Sequence, residues 1–291
     1  MLGTLIGIFI TSTGIVVGAD SVLWGSRAPG PTHVEKTCQP SQRSVAVLEG
    51  WYGEGLYLHR RFHEACRTLQ RTSKALSVEG QADRLIDTLR RAYRDRSGAL
   101  PLNAASLPLP SSKHVASIAV AGFDGAIPMV TVRELRWEKN RKGQWRVIGE
   151  RVGKLSFQGC GAEFLGEDGI ASLLLDTSLH FEREKRRPAA QAAGKANHLR
   201  KEENCFRSAF TADQAKTLYK TAVRLTIDHG DEFMILSGTV GGRLHLLTIP
   251  AEGTVEEELV DPEQYVGALV ERDRGVSGFT AFPESKGGGS S

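Results

Sequence analysis

The chain has 291 residues, enough to bury a sizeable core as one large domain or as one domain with an appendage. Its net charge is +3 with 24% charged residues, and the basic residues are spread out except near 183–201, so the composition asks for no nucleic-acid partner. Four cysteines (Cys38, Cys66, Cys160, Cys205) stand apart with no CxxC spacing and no His cluster beside them, which argues against a zinc site and for reduced thiols, two disulfides being the alternative.

The first stretch, Gly3 to Asp20, holds two apolar runs, Thr4 to Ile10 and Ile15 to Ala19, parted by Thr11-Ser12-Thr13-Gly14. The β-branched content and the polar break ending in glycine predict a strand pair, with Gly14 as a left-handed turn residue. The same stretch has a rival reading as a secretory signal or membrane anchor, since Leu2 to Ala19 carries no charge and Val17-Gly18-Ala19 are small residues that a signal peptidase accepts. Against it, no basic residue precedes the run and its middle is polar. Residues 21–36 are Gly/Pro-rich and read as a loop, and Ser44 to Leu48 reads as a short strand leading to Gly50. Two helices follow, about Leu56 to Ala75 and Val78 to Arg96, the second with an arginine-rich face that reads as solvated. His59 and His63 lie one turn apart on the first, but no third ligand is within reach, so packing or surface roles are expected.

After a proline-rich crossing (Leu100 to Ser112), strands are predicted over Val115 to Ala121, Pro128 to Leu135 and Trp145 to Ile148. The run from Glu182 to Glu203, charged and alanine-rich, reads as an insertion or mobile loop. Thr211 and Gln214 have the spacing of a capping box ahead of an apolar helix face that includes Ala215, Tyr219, Ala222 and Val223. Strands at Phe233 to Leu236 and Leu244 to Ile249, with a Gly241-Gly242 turn, end the pattern, and residues 251–291 read as an appendage with a disordered Gly/Ser end.

The functional signal lies in four positions. Thr4, Asp20, Lys36 and Gly50 are separated by 16, 16 and 14 residues. At that spacing the chain resembles the proteasome β-subunit family of N-terminal nucleophile hydrolases, whose active site uses a threonine, an aspartate, a lysine and an oxyanion glycine. The strings GIVVGADS (Gly14 to Ser21) and VAGFDGAIPMV (Val120 to Val130) look like strands of that family, and Gly3-Thr4 looks like its self-cleavage junction. The resemblance spans about residues 3 to 250 and implies an α+β fold, a four-layer αββα sandwich over 4–250 behind a prosegment 1–3. It also implies roles for Asp228, which matches an aspartate near the nucleophile, and for Cys160, which stands where the family has a proton-relaying serine. A second serine of the family is Asp231 here.

A threonine hydroxyl is a weak nucleophile, and a free α-amino group with a pKa of about 7.7–8.0 can serve as its base. Thr4 gains that amine only if the chain is cut after Gly3. Lys36 would favour the deprotonated hydroxyl, Asp20 would hold Lys36 as an ion pair, and the Gly50 amide would donate to the oxyanion. The expectation is therefore a cytoplasmic, self-processing threonine peptidase or amidohydrolase acting on a peptide or protein, with neither cofactor nor metal, no nucleic-acid or membrane partner, and homo-oligomeric stacked rings by resemblance. The alternatives are a non-catalytic structural subunit of the same fold and an exported or anchored protein.

Overall fold

The computed structural model of the protein describes residues 4–24, 31–50, 55–71, 76–97, 113–139, 145–156, 160–166, 205–206, 211–229 and 240–265. Gly3, Gly159, the 182–203 insertion, the strand expected at Phe233 to Leu236, and Asp231 lie outside these residues. Thirteen strands and three helices are described: β1 Leu5–Ile10, β2 Gly14–Asp20, β3 Val22–Trp24, β4 Pro31–His33, β5 Thr37–Ser41, β6 Ser44–Gly50, α1 Gly55–Arg71, α2 Val78–Ser97, β7 Lys113–Asp124, β8 Ile127–Lys139, β9 Trp145–Ser156, β10 Cys160–Gly166, β11 Cys205–Phe206, α3 Ala212–His229, β12 Leu244–Pro250 and β13 Glu256–Val260. The fold is α+β with two large antiparallel sheets, one of six strands in the order β11-β10-β1-β2-β12-β13 and one of five in the order β5-β6-β7-β8-β9.

β1 and β2 are the centre of the six-stranded sheet, and both of their faces are covered. Alternate side chains of a strand point to opposite faces. Ile6, Ile8, Ile10, Ile15, Val17 and Ala19 accordingly pack with Val45, Val47, Ala119 and Val132 of the other sheet. Leu5, Phe9 and Val16 pack instead with Ala215, Tyr219 and Val223 of α3. A third core joins α1 and α2 to the outer face of the five-stranded sheet through Leu58, Phe62, Leu85, Leu89, Ile118 and Val120. Double-sided burial explains why the first stretch is nearly unbroken in its apolar character, a pattern that a signal segment shares. In the structure these residues are the middle of the core rather than a segment apart from it. No helix among the described residues is long and apolar enough to cross a membrane.

Local chemistry explains most element ends. The β1–β2 turn is closed by the Thr11 amide and hydroxyl, which donate to the Gly14 carbonyl at 2.8 and 2.9 Å. Gly14 has the positive φ expected of it, near the extended limit of that region. Its φ is 157°, and a Cβ there would meet the Ile249 carbonyl oxygen at 2.4 Å, so glycine is required by the approach of β12. α2 starts where the Ser77 hydroxyl accepts the Gly80 amide at 3.1 Å. The capping box of α3 forms as predicted, with Thr211 Oγ1 accepting the Gln214 amide at 3.3 Å and Gln214 Oε1 accepting the Thr211 amide at 2.8 Å.

Two expectations change. Cys38 and Cys66 form a disulfide that ties β5 to α1, where reduced thiols were expected, because the fold brings together cysteines that sequence spacing keeps apart. β12 is not the far edge of its sheet. β13 pairs with it from Leu244↔Val260 to Thr248↔Glu256, so the sheet continues past residue 250 into the segment read as an appendage.

Candidate active site

The start of β1, the end of β2 and the residue before β5 converge on one point. Pairing of β1 with β2 sets Ile6 opposite Ala19, which places Thr4 beside the end of β2 where Asp20 stands. Lys36 precedes β5, and its carbonyl accepts the Leu48 amide of β6 at 2.9 Å. From there its side chain reaches inward. Lys36 Nζ donates to Thr4 Oγ1 at 2.9 Å and to Asp20 Oδ1 at 2.9 Å, with the Lys36 and Asp20 side chains fully buried.

Asp20 is held from two further directions. The Leu5 amide donates to Oδ1 at 2.9 Å and the Gly241 amide donates to Oδ2 at 3.2 Å. A carboxylate removed from water needs such donors, since an unpaired buried charge is costly. Burial drives the Asp20 carboxyl above its ordinary value, with Lys36 and the two amides acting against it. Burial likewise drives the Lys36 ammonium below its ordinary value, opposed by Asp20 and then by Glu49. A weakly hydrated cation placed on a hydroxyl oxygen favours the alkoxide-like form of that hydroxyl.

Gly50 ends β6 opposite Ala116, two residues beyond the Leu48 amide that registers this strand on Lys36. Two of the expected site residues do not join the cluster. Asp228, in the last turn of α3, is ion-paired with Arg224 at 3.5 Å, and neither Thr4, Asp20 nor Lys36 is its partner. Cys160 is placed by strand register: β10 runs antiparallel to β1 with Gly166 opposite Leu5 and Gly161 opposite Ile10. Thr4 and Cys160 therefore lie at opposite ends of β1, roughly 20 Å apart at about 3.3 Å per residue. The proton-relay role expected of Cys160 is corrected on this ground.

The sequence reading missed the residues around Asp20. The Gly241 amide was read only as part of a turn, and Tyr219 only as one member of an apolar helix face. Tyr219 is fully buried, and its hydroxyl donates to the Leu5 carbonyl at 2.7 Å. Gly7 and Gly18, opposite one another in the β1–β2 register, make its place: a Cβ on either would meet the ring at 2.7 or 2.5 Å. A pair of facing glycines inside two otherwise bulky strands was the available signal. His59 and His63 do take packing and surface roles. His59 is buried on α1, and His63 Nε2 donates to the Glu35 carbonyl at 2.8 Å. No group of three or more metal-ligating side chains occurs among the described residues.

No family model matches the sequence, and no curated protein matches it. Solved structures do. An Anbu complex from Pseudomonas aeruginosa, solved as a helical assembly, is 14% identical with a TM-score of 0.55, covering 98% of this chain and all of the other. An Anbu Gly-1 mutant from Hyphomicrobium sp. strain MC1 is 14% identical with a TM-score of 0.54, covering 96% of this chain and all of the other. These likenesses replace the family drawn from the spacing of Thr4, Asp20, Lys36 and Gly50: the chain is similar in fold to Anbu subunits along nearly its whole length, and its assignment to the proteasome β-subunits is set aside.

Proposed function

We propose that the chain is a threonine-nucleophile peptidase or amidohydrolase, with its sheets and helices stacked in four αββα layers. The observation that carries this reading is the buried Thr4–Lys36–Asp20 chain, with Lys36 Nζ at 2.9 Å from both oxygens. A lysine donating to a buried hydroxyl leaves the hydroxyl proton free to move to a base. In the proposed reaction, cleavage after Gly3 gives Thr4 an α-amine, and that amine takes the Oγ1 proton as the oxygen attacks a carbonyl carbon. The negative charge then collects on the carbonyl oxygen, where the Gly50 amide would stabilise it. The carbonyl re-forms as the scissile C–N bond breaks, the substrate's leaving amine taking the proton held by the Thr4 α-amine, and water then releases the acyl group from Thr4 with that α-amine again as base. The likeness to Anbu structures, one of them a helical assembly, supports a homo-oligomer.

A second reading, a non-catalytic subunit of the same fold, is favoured by the placement of Asp228 on Arg224 and of Cys160 at the far end of β1. One experiment separates the two. The purified chain should lose Met1-Leu2-Gly3 without added protease and hydrolyse fluorogenic peptides, and Thr4→Ala should keep the three residues and be inactive. A wild-type chain that retains Met1 and turns over nothing supports the non-catalytic reading.

A further inference from the structure

Asp20 carries the site, because it is the carboxylate that keeps Lys36 on Thr4, and each of its oxygens takes one backbone amide. Those two amides belong to segments far apart in sequence, Leu5 at the start of β1 and Gly241 before β12. Each segment is held in turn by a tyrosine hydroxyl. Tyr219 donates to the carbonyl of Leu5, the residue whose amide bonds Oδ1, at 2.7 Å. Tyr265 donates to the carbonyl of Gly242, next to the residue whose amide bonds Oδ2, at 2.5 Å.

We infer that Tyr219 and Tyr265 are a pair of positioning residues that clamp the two backbone segments donating to Asp20, and so set the place of Lys36 against Thr4. The inference rests on the threonine-nucleophile reading above. Both tyrosines are buried, each hydroxyl has one backbone carbonyl as acceptor, and the two act on opposite sides of one carboxylate.

The segment on the Tyr265 side needs such an anchor. Gly241 and Gly242 have φ of 132° and 73°, conformations that side-chain-bearing residues rarely adopt. A Cβ on Gly242 would meet Ser21 Oγ at 2.6 Å and the His33 ring at 2.8 Å, so the loop is pressed directly onto the residue after Asp20. The Ser21 amide also donates to the Gly241 carbonyl at 3.2 Å, which closes the loop on Asp20 from both sides. On the Tyr219 side, the ring lies against the facing glycines Gly7 and Gly18, where a Cβ on either would meet it, and from that place its hydroxyl reaches the Leu5 carbonyl. Burial first, and then the Asp20 charge, hold both phenols above their ordinary range, so each stays a donor throughout the pH range in which the site would work.

Phenylalanine keeps the ring and removes only the hydroxyl, so Tyr219→Phe and Tyr265→Phe test the clamp with the fold kept. Thr4→Ala serves as the reference for the underlying reading. For each Phe variant, kcat on a fluorogenic peptide should fall roughly ten- to a hundred-fold with KM unchanged, as expected for a nucleophile displaced by a fraction of an ångström. Self-removal of Met1-Leu2-Gly3 should slow in parallel. Amide hydrogen exchange should rise at Leu5 in Tyr219→Phe and at Gly241 in Tyr265→Phe. Unchanged kcat in both variants, or a rise in KM alone, would overturn the inference. If Thr4→Ala is as active as the wild type, the threonine reading fails and the catalytic part of the clamp fails with it. Exchange at the two amides then decides by itself whether the tyrosines hold Asp20.

Discussion

The buried ion pair is a residue-scale commitment. Neither Lys36 nor Asp20 gains much from attraction once desolvation is counted, but removing one partner strands the other. Asp20→Asn and Lys36→Met should each cost roughly 3–5 kcal/mol of stability. The double variant should cost less than either alone, because it leaves no unpaired charge. Denaturant midpoints of the three chains check this, and a double variant whose loss equals the sum of the singles would place the two groups in separate sites. Lys36→Arg should abolish hydrolysis, since a planar fork cannot replace a compact ammonium between two oxygens each 2.9 Å away. Cys160→Ser, at the far end of β1, should leave hydrolysis unchanged.

His59 sets a pH dependence at the same scale. Burial first, and then the nearby positive charges of Lys36 and His63, lower its pKa from 6.5 to about 3. The folded state therefore holds it neutral while the unfolded chain takes up a proton below about 6.5. Its contribution is complete above that pH and is lost as the pH falls toward 3, by about 5 kcal/mol in total at about 1.4 kcal/mol per pKa unit. The test compares urea midpoints of wild type and His59→Gln from pH 7 to pH 4. The wild type should lose more stability over this range, and parallel curves would remove His59 from the acid limb.

At the scale of elements, the sequence disclosed those whose signals are local. Thr211 and Gln214 announced α3 because a capping box is written in four consecutive residues. The strand pair at the start was legible because β-branched runs and a polar turn lie within twenty positions. The spacing of Thr4, Asp20 and Lys36 was legible for a similar reason, since a hairpin and one loop suffice to bring them together. Placing Cys160 needed the β1–β10 register, which joins residues about 155 apart, and nothing near Gly159 states that register. Long-range pairing also hid the Cys38–Cys66 disulfide. That bond closes a loop of 28 residues between the strand that follows Lys36 and helix α1. In the chain-entropy account such a loop contributes about 3–4 kcal/mol. Reduction, or Cys66→Ser, should lower the melting temperature by several degrees, and an identical melt with and without reductant would mean that the thiols are unpaired in solution.

For the molecule as a whole, the decisive element is the one placed outside the domain. Residues 251–291 read as an appendage, yet β13 completes the six-stranded sheet within them. Val260 and Tyr265 are buried against the α3 core. Glu258 also joins Lys216 at 3.0 Å and Lys220 at 2.9 Å, fastening the edge of the sheet to the helix that carries Tyr219. A chain ended at Pro250 would lose two large buried side chains, each worth about 1.5–3 kcal/mol, together with the Tyr265 anchor on Gly242. Against a typical total stability of about 5–15 kcal/mol, that is enough to uncouple the sheet edge from the site. It would also leave β12 with an open apolar edge, a template for aggregation. The shortened chain should therefore show a weakened or non-cooperative melt, increased light scattering and no hydrolysis. Leu259→Lys, at a position 47% exposed on the same strand, should behave as the full wild-type chain. A shortened chain that melts cooperatively within a few degrees of the full one would show that the sheet and the site are complete without β13.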